Sequence, residues 1–193
     1  MKKILIINGH PDKESFCFAL AEAYKKGVLT TSAEVKEIII CDLQFNPNLQ
    51  FGYRKRTELE PVLIEAWEKI KWANHLVWVY PVWWGSFPAI LKGFIDRVFL
   101  PGFAFKKKEG SIIYWDKLLK GKTARIISTL DQPVWYYWLV HRQPSKKKKK
   151  KLVLHFCGIK PVKITTFGPI RLSTETYRNK LIRKVEQLGE KLK

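Results

Sequence analysis

Five short apolar segments alternate with segments of helical pattern along the whole chain, and this alternation limits the fold more than any other feature. The apolar segments predict strands at residues 3–8, 34–41, 75–80, 123–130 and 161–167. Each is followed by a helical segment or a long crossover, and strands joined in this way lie parallel in one sheet. Continuous apolar runs are typical of strands buried on both faces. The pattern therefore predicts an α/β fold with helices on both faces of a five-stranded parallel sheet.

Apolar periodicity and capping residues place the helices. Ser15 is a good N-cap for the first helix, and Gly27 is predicted to end it. Further helices are predicted at residues 58–72, after Pro88, at residues 146–156 and from Ser173 onwards. The segment 101–122 is predicted to be a long connection. Since the sequence contains neither a repeat nor an interdomain linker, we expect residues 1–193 to form a single domain.

The chain is strongly basic, with 36 Lys and Arg against 17 Asp and Glu and a formal net charge of +19. Such a charge attracts anions of many kinds, from phosphates to nucleic acids and membrane surfaces. Much of the excess lies in two runs, Lys106–Lys108 and Lys146–Lys151, which are typical of solvated loops. We therefore expect no specific nucleic-acid partner, although the charge alone supports an alternative in which the fold is a scaffold for binding polyanions.

Cysteine and histidine usage points to a reducing compartment and to no metal site. Cys17, Cys41 and Cys157 are widely spaced without a CxxC pair. The apolar part of the N-terminus is too short for a signal peptide, so we expect a cytoplasmic protein. The four histidines lack HxxxH or HExxH spacing. No apolar run reaches the about 18 residues that a membrane helix needs, so no membrane insertion is expected.

Ligands of such sheets bind beyond the carboxyl ends of the strands, where the strand order reverses. The loops at those ends are residues 9–15, 81–88 and 130–138. The first is neither a GxGxxG fingerprint nor a P-loop. It still opens a helix, and the free amides and dipole of a helix N-terminus favour an anion. Ser15 would add a hydroxyl and His10 a ring N–H, although Ser15 fits equally well as a simple N-cap.

The second and third loops are rich in aromatic side chains. Trp83 and Trp84 lie side by side between two prolines and are followed by Gly85. They fit a core position under a loop, but two adjacent tryptophans between prolines favour a binding loop. An anion site beside aromatic loops suits a nucleotide with a large planar ring, and a flavin fits that description. A flavin carries its own redox chemistry, which agrees with the lack of a catalytic triad in the sequence.

Two stretches resemble the signatures of the flavodoxin-like NAD(P)H:quinone oxidoreductase family: GHPDKESFCFAL (9–20) and YPVWWGSFPAILKGFIDRVFLPGFAF (80–105). The similarity continues through HFCGIKPVKITTFGPI (155–170). The family includes modulator-of-drug-activity proteins, ancillary subunits of glutathione-gated potassium efflux systems and DT-diaphorases. The resemblance implies a flavodoxin-like three-layer sandwich with strand order 2-1-3-4-5.

The resemblance also implies a homodimer that binds FAD or FMN non-covalently, with the active site at the subunit interface. A hydride would pass from NAD(P)H to flavin N5, and a quinone or similar acceptor would be reduced in a second half-reaction. We favour FAD, because the 43–57 loop and the 101–122 connection are long enough to cover an adenosine half. The alternative within the family is a regulatory flavoprotein subunit that docks on a membrane transporter.

Individual residues take roles from the same resemblance. The flavin phosphate would be held by His10, Ser15, Phe16 and Cys17. The loop along the isoalloxazine would consist of Pro81, Val82, Trp83, Trp84 and Gly85. The loop near the pyrimidine edge would consist of Thr129, Leu130, Asp131 and Gln132. The residues over the ring would be Tyr137 and His141, placed to stabilise the charge that arrives with the hydride.

Overall fold

The computed structural model describes residues 1–111, 113–140 and 148–192, and in these ranges it contains seven strands. They are β1 (Lys3–Asn8), β2 (Glu34–Ile39), β3 (His75–Pro81), β4 (Phe105–Lys107), β5 (Trp115–Lys117), β6 (Thr123–Thr129) and β7 (Val162–Phe167). Five of them form one parallel sheet in the order β2-β1-β3-β6-β7. This matches the predicted order 2-1-3-4-5, because β6 and β7 are the fourth and fifth sheet strands along the chain.

The two additional strands, β4 and β5, pair with each other as an antiparallel hairpin. They lie within the segment that the sequence predicted to be a connection without strands. Each has only three residues, and together they carry three lysines. The pattern of alternating or continuous apolar residues that marks a sheet strand is therefore missing, and the hairpin could not be recognised from the sequence.

Helices cover both faces of the sheet. They are α1 (Phe16–Leu29), α2 (Pro61–Trp72), α3 (Ala89–Val98), α4 (Val134–Leu139) and α5 (Glu175–Glu190), with a π-helical segment at Lys148–His155. One buried cluster joins α1 and α5 to the sheet and the other joins α2 and α3 to its opposite face. Along β1, Ile4 and Ile6 point to the first cluster and Leu5 and Ile7 to the second. No helix in the described ranges is long and apolar enough to cross a membrane.

Helix boundaries differ in part from the sequence-based expectation. α2 begins at Pro61 and not at residue 58. α1 continues past Gly27 to Leu29, so the prediction that Gly27 ends the helix is wrong. α5 is capped by Thr174, one residue after the predicted start. α4, which follows Pro133 and ends at Leu139, occupies much of the expected loop 130–138. The predicted helix at 146–156 is represented by the π-helical segment, whereas the side chains of the run Lys146–Lys151 lie outside the described part.

A buried histidine at the amino end of β3 makes the stability of the fold depend on pH. His75 is 5% exposed, and its Nδ1 lies 2.6 Å from the Thr123 hydroxyl. Burial, together with the charges of Lys2, Arg125 and Lys163, lowers the pKa of His75 to about 3. The unfolded chain takes up a proton near pH 6.5 and the folded chain does not. Stability that is complete above pH 6.5 is therefore lost progressively as the pH falls towards 3.

We expect His75→Gln to flatten this pH dependence. Between pH 6.5 and 5 the wild-type protein should lose about 2 kcal/mol of unfolding free energy through this group. The variant should lose correspondingly less over the same interval, even if its stability at pH 7 is lower. Urea unfolding at both pH values measures the two losses. Equal losses in the two proteins would show that His75 is not the responsible group.

Candidate active site

Backbone hydrogen bonds hold the predicted site loops side by side at the carboxyl edge of the sheet. The Gly9 amide, at the start of the first loop, donates to the Val79 carbonyl at 2.8 Å. The Val82 amide, at the start of the second, donates to the Thr129 carbonyl at 2.7 Å. The first and second loops therefore follow neighbouring strands, and the second loop is tied to β6, from which the third loop begins.

The N-terminus of α1 presents unused hydrogen-bonding groups. Ser15 is the N-cap residue, but its side chain caps no amide, and its buried Oγ has no partner among the described residues. The amides of Phe16 and Cys17, in the first turn, likewise reach no acceptor in the described ranges. A hydroxyl, two amides and the positive end of the helix dipole together form a site for an anion.

Cys17 contributes to this site through its backbone. Its Sγ is buried and lies 3.3 Å from the Thr129 hydroxyl. Burial raises the pKa of Cys17 to about 12, against the smaller opposing effect of the Thr129 contact. The thiol is therefore neutral at physiological pH, and it fills space rather than acting as a nucleophile.

His10 faces the same site as a neutral donor. Its Nδ1 accepts a hydrogen bond from the Asp12 amide at 3.0 Å, so the neutral ring carries its proton on Nε2. Burial lowers the pKa of His10, although the amide and the charge of Asp12 oppose the shift. The ring meets Trp83 edge to face, with 5.5 Å between the ring centroids. At neutral pH the histidine therefore offers an N–H group and not a positive charge.

The two tryptophans lie on a tight turn and not in the core. Trp83 and Ser86 exchange two backbone hydrogen bonds of 2.9 and 2.8 Å. The central residues Trp84 and Gly85 have φ angles of 49° and 66°, as in a type I′ turn. Trp84 is fully exposed and Trp83 is 44% exposed. A tryptophan held in a left-handed conformation at the edge of a cavity is a strained feature, and such strain concentrates at binding sites.

Two adjoining cavities lie between these loops. The smaller, of about 180 Å³, is lined by His10, Ser15, Phe16, Cys17, Pro81, Val82, Trp83, Thr129, Leu130, Asp131 and Ile170. The larger, of about 500 Å³, is lined by Val82, Trp84, Gly85, Leu130, Asp131, Gln132 and Tyr137. Every residue predicted to bind the cofactor therefore lines one cavity or the other. In the described ranges, no group of three or more His, Cys, Asp or Glu side chains is placed to hold a metal ion.

Of the two residues predicted to act on the bound ring, the described ranges contain Tyr137. Tyr137 lies on α4, is 4% exposed and lines the cavity wall. His141 lies outside the described residues. The structure therefore places a tyrosine at this wall.

Two residues near the site were missed by the sequence analysis. Ile170 lines the smaller cavity, and its amide donates to the Leu130 carbonyl at 3.1 Å. Asn8 is buried, its Oδ1 accepts from the His10 amide at 3.1 Å, and its Nδ2 has no partner in the described ranges. An asparagine at the carboxyl end of an apolar strand was a usable signal. An isoleucine in the loop after β7 gave no such signal in the sequence.

Known proteins resemble this chain in sequence and in fold. A family model described as a flavodoxin-like fold matches residues 2–192. An uncharacterized NAD(P)H oxidoreductase of Haemophilus influenzae is 30% identical, over 92% of this chain and 89% of that protein. An NAD(P)H dehydrogenase (quinone) 1 of Rattus norvegicus is 27% identical over 54% of this chain. The chain spans about half of the length of that rat relative, 46%.

Solved structures share the fold over nearly the full chain. The Smu.1420 protein of Streptococcus mutans has a TM-score of 0.86 and 34% identity, covering 98% of this chain and 99% of that one. An NAD(P)H:quinone oxidoreductase of Methanothermobacter marburgensis has a TM-score of 0.82 and 20% identity, covering 100% and 99%. An FMN-dependent NADH-azoreductase of Bacillus anthracis, solved with FMN, has a TM-score of 0.76 and 20% identity, covering 99% of each chain.

Proposed function

The chain belongs to the flavodoxin-like NAD(P)H:quinone oxidoreductase family, and on that premise we propose that it is a flavin-dependent enzyme. It passes two electrons from NAD(P)H to a quinone or a similar acceptor. The observation that carries the proposal is the pair of adjoining cavities, where the Ser15 hydroxyl, without a partner among the described residues, lies beside two aromatic loops. A flavin bound there would supply the two-electron redox chemistry between NAD(P)H and the acceptor.

The residues present fit the phosphate end of a flavin. A phosphate in the smaller cavity would accept from the Ser15 hydroxyl and the amides of Phe16 and Cys17, which have no other partner among the described residues. Because hydrogen bonds to a charged group are strong, these donors bind and orient the ligand. The Nε2–H of His10 adds a neutral donor at the same cavity.

The larger cavity fits a flat ring. The segment Val82–Gly85 forms one wall, with the exposed Trp84 at its rim, and Leu130–Gln132 forms another. These walls would hold the ring and exclude water from one side of it. We assign Tyr137 the role of donating a hydrogen bond where charge develops. The same role for His141 remains the hypothesis that the resemblance supplies.

FAD and FMN both remain in the proposal. The 43–57 loop and the start of the 101–122 connection do meet, around a separate cavity of about 400 Å³ lined by residues that include Tyr53, Lys55 and Gly102. That cavity shares no lining residue with the two site cavities. Within one chain, the two segments expected to cover an adenosine half therefore do not adjoin the site. Chromatography of the released flavin will decide between the two cofactors.

We propose that two copies of the chain form a homodimer with the active site at their interface. Exposed tryptophans support this: Trp84, which lines the larger cavity, and Trp135 and Trp138, which lie on α4 with Tyr137, are 104%, 63% and 59% exposed. A second copy would cover such a surface.

The three cysteines are unpaired, which supports a cytoplasmic location. The match of the family model to residues 2–192 supports a single domain.

The visible absorption spectrum of protein purified without added cofactor tests the proposal. Flavin bands that bleach with NADPH or NADH under anaerobic conditions, and return on addition of a quinone, are the expected result. Bands that neither nucleotide changes would favour the regulatory flavoprotein instead. A colourless protein that stays colourless after incubation with FAD or FMN would refute flavin binding and with it the proposed function.

Ser15→Ala separates an anion-binding role from a capping role. Because the hydroxyl caps nothing in the described structure, the apoprotein should keep its unfolding free energy. Flavin affinity should fall by about tenfold to a hundredfold, the value of a hydrogen bond to a charged group. Thr174→Ala is the matched control, since Thr174 Oγ1 accepts from the Tyr177 amide at 3.2 Å and should cost about 1 kcal/mol. Loss of apoprotein stability with unchanged flavin affinity would mean that Ser15 only caps α1.

Tyr137→Phe tests the hydrogen-bond donor at the cavity wall. We expect reduction of the bound flavin to slow by about tenfold, because one donor to developing charge is removed, while flavin affinity stays within a few-fold. Stopped-flow absorbance and equilibrium titration measure the two quantities. Tyr136→Phe is the control, since the neighbouring ring is 37% exposed and does not line either site cavity. An unchanged rate would remove Tyr137 from the mechanism.

A further inference from the structure

The hairpin formed by β4 and β5 carries an excess of unpaired positive charge. We use the name lysine hairpin for residues 105–111 and 113–120, which contain the exposed lysines Lys106, Lys107, Lys108, Lys117 and Lys120. Its acids are Glu109 and Asp116, and Lys108 lies 4.0 Å from Asp116. The other four lysines form no ion pair with a described residue. Some exposed lysines elsewhere in the chain, Lys13 and Lys92 among them, do pair with acids.

Exposed apolar side chains lie among these lysines. Ile113 is 63% exposed, Tyr114 66% and Leu118 44%. Leu152, on the adjoining π-helical segment, is 69% exposed and lines one cavity together with Lys107. The surface is therefore both basic and apolar, which is costly to leave in contact with water and indicates a partner.

Contacts beneath the hairpin fix its position. The Trp115 ring stacks on Phe156, with the centroids 4.3 Å apart, and its Nε1–H donates to the Phe156 carbonyl at 2.9 Å. The stems of Lys117 and Lys120 converge over Gly158, where an added Cβ would lie 3.0 Å from each. The β5 side of the charged surface is thus built on a packed base.

We propose that the lysine hairpin is a docking surface for an anionic membrane. The unpaired lysines attract the headgroups of acidic lipids, and Ile113, Tyr114 and Leu118 enter the headgroup region, where apolar and tyrosine side chains are stabilised. The net charge of +19 adds to the attraction. Single-stranded nucleic acid fits less well, because it is bound through stacked aromatic rings and leaves exposed aliphatic side chains without a role.

Docking itself is independent of the catalytic proposal. Docking would give the enzyme access to an acceptor dissolved in the membrane, and this benefit rests on the proposed function. The docking proposal and the catalytic proposal are tested separately, because vesicle binding is measured without NAD(P)H and turnover is measured with a water-soluble quinone. Loss of one leaves the other measurable.

Co-sedimentation with lipid vesicles tests the proposal on the full chain. Vesicles of phosphatidylcholine with about one-third phosphatidylserine should bind the protein, and vesicles of phosphatidylcholine alone should not. Lys107→Glu/Lys117→Glu should lower the partition coefficient by at least about tenfold. The matched control, Lys180→Glu/Arg183→Glu, makes the same charge change at exposed positions of α5 and should lower it by less than about threefold. Ile113→Ser/Tyr114→Ser keeps the charge and should also weaken binding by about tenfold.

Several outcomes would overturn the proposal. Equal losses for the hairpin and α5 double variants would show that net charge alone binds the vesicles. Tight binding of a single-stranded oligonucleotide without vesicle binding would assign the surface to nucleic acid. A change of oligomeric state in the hairpin variants, measured by sedimentation velocity, would assign it to a second copy of the chain.

Discussion

Replacing Gly27 by alanine is expected to destabilise the protein by about 3 kcal/mol, the upper end of what overpacking usually costs. Helix propensity alone predicts a gain of about 1 kcal/mol at an interior helix position. We expect a loss instead of this gain because α1 and α5 cross closely. A Cβ on Gly27 would lie 2.0 Å from the Glu186 carbonyl oxygen. From the other side, a Cβ on Gly189 would lie 2.2 Å from the Tyr24 carbonyl oxygen. Both obstacles are backbone atoms, so the helices must move apart.

Urea unfolding of Gly27→Ala, Gly189→Ala and the double variant measures this effect. The double variant should lose less than the sum of the single variants, because the first substitution already separates the two helices. Glu22→Ala, at an exposed position of α1, is the control and should change stability by less than about 0.5 kcal/mol. A stabilised Gly27→Ala protein would contradict the close approach of α1 and α5.

Gly27 also shows why the helix ends were harder to predict than the sheet. A glycine near the end of an apolar periodic segment is the usual signal for a helix stop. A glycine needed for close contact with another helix looks the same in the sequence. The distinction depends on α5, which is more than a hundred residues away along the chain. The long apolar runs of β1 and β3, in contrast, carry their own signal, because only strands buried on both faces tolerate them.

Much of the candidate site was predictable for a related reason. Its residues directly follow the carboxyl ends of strands, so locating the strands also located the loops. What the loops do in detail depends on backbone geometry that residue types do not reveal. The positive φ of Trp84 and the uncapped hydroxyl of Ser15 are examples. Short elements were not predicted either, since the six residues of α4 are too few for a helical period to show.

Replacing Arg97 by methionine is expected to cost about 3–5 kcal/mol, the range for removing one partner of a buried ion pair. Arg97 is 1% exposed and lies on α3. Its Nη2 donates to Glu60 Oε2 at 2.8 Å and to the Glu58 carbonyl at 2.6 Å. Its Nη1 donates to the Asn46 carbonyl and to Glu60 Oε1. One guanidinium thus holds both ends of the 43–60 segment against α3. Methionine would remove the Arg97 donor from all of these acceptors, although Glu60 Oε1 would keep the Asn46 amide at 3.0 Å.

The Glu60 carboxylate makes the effect of this substitution depend on pH. Burial tends to raise the pKa of Glu60, but the amides of Asn46 and Glu60 and the Arg97 guanidinium outweigh it, so that the pKa lies below its ordinary value. Stability from this group is present above the ordinary carboxyl pKa and is lost as the pH falls through the lowered one. In Arg97→Met that part of the acid-induced loss should shrink, because the guanidinium no longer favours the charged form.

A double-mutant cycle with Glu60→Gln separates the ion pair from the carbonyl contacts. We expect a coupling energy of about 1–3 kcal/mol between the two side chains, with the remaining cost due to the carbonyls of Asn46 and Glu58. Lys92→Met is the control, since its ion pair with Asp96 lies on the exposed side of the same helix and should contribute less than about 1 kcal/mol. Limited proteolysis reports on the segment itself: cleavage within residues 43–60 should accelerate in Arg97→Met and not in Lys92→Met. Unchanged cleavage together with a small loss of stability would mean that packing against α3, and not the guanidinium, holds this segment.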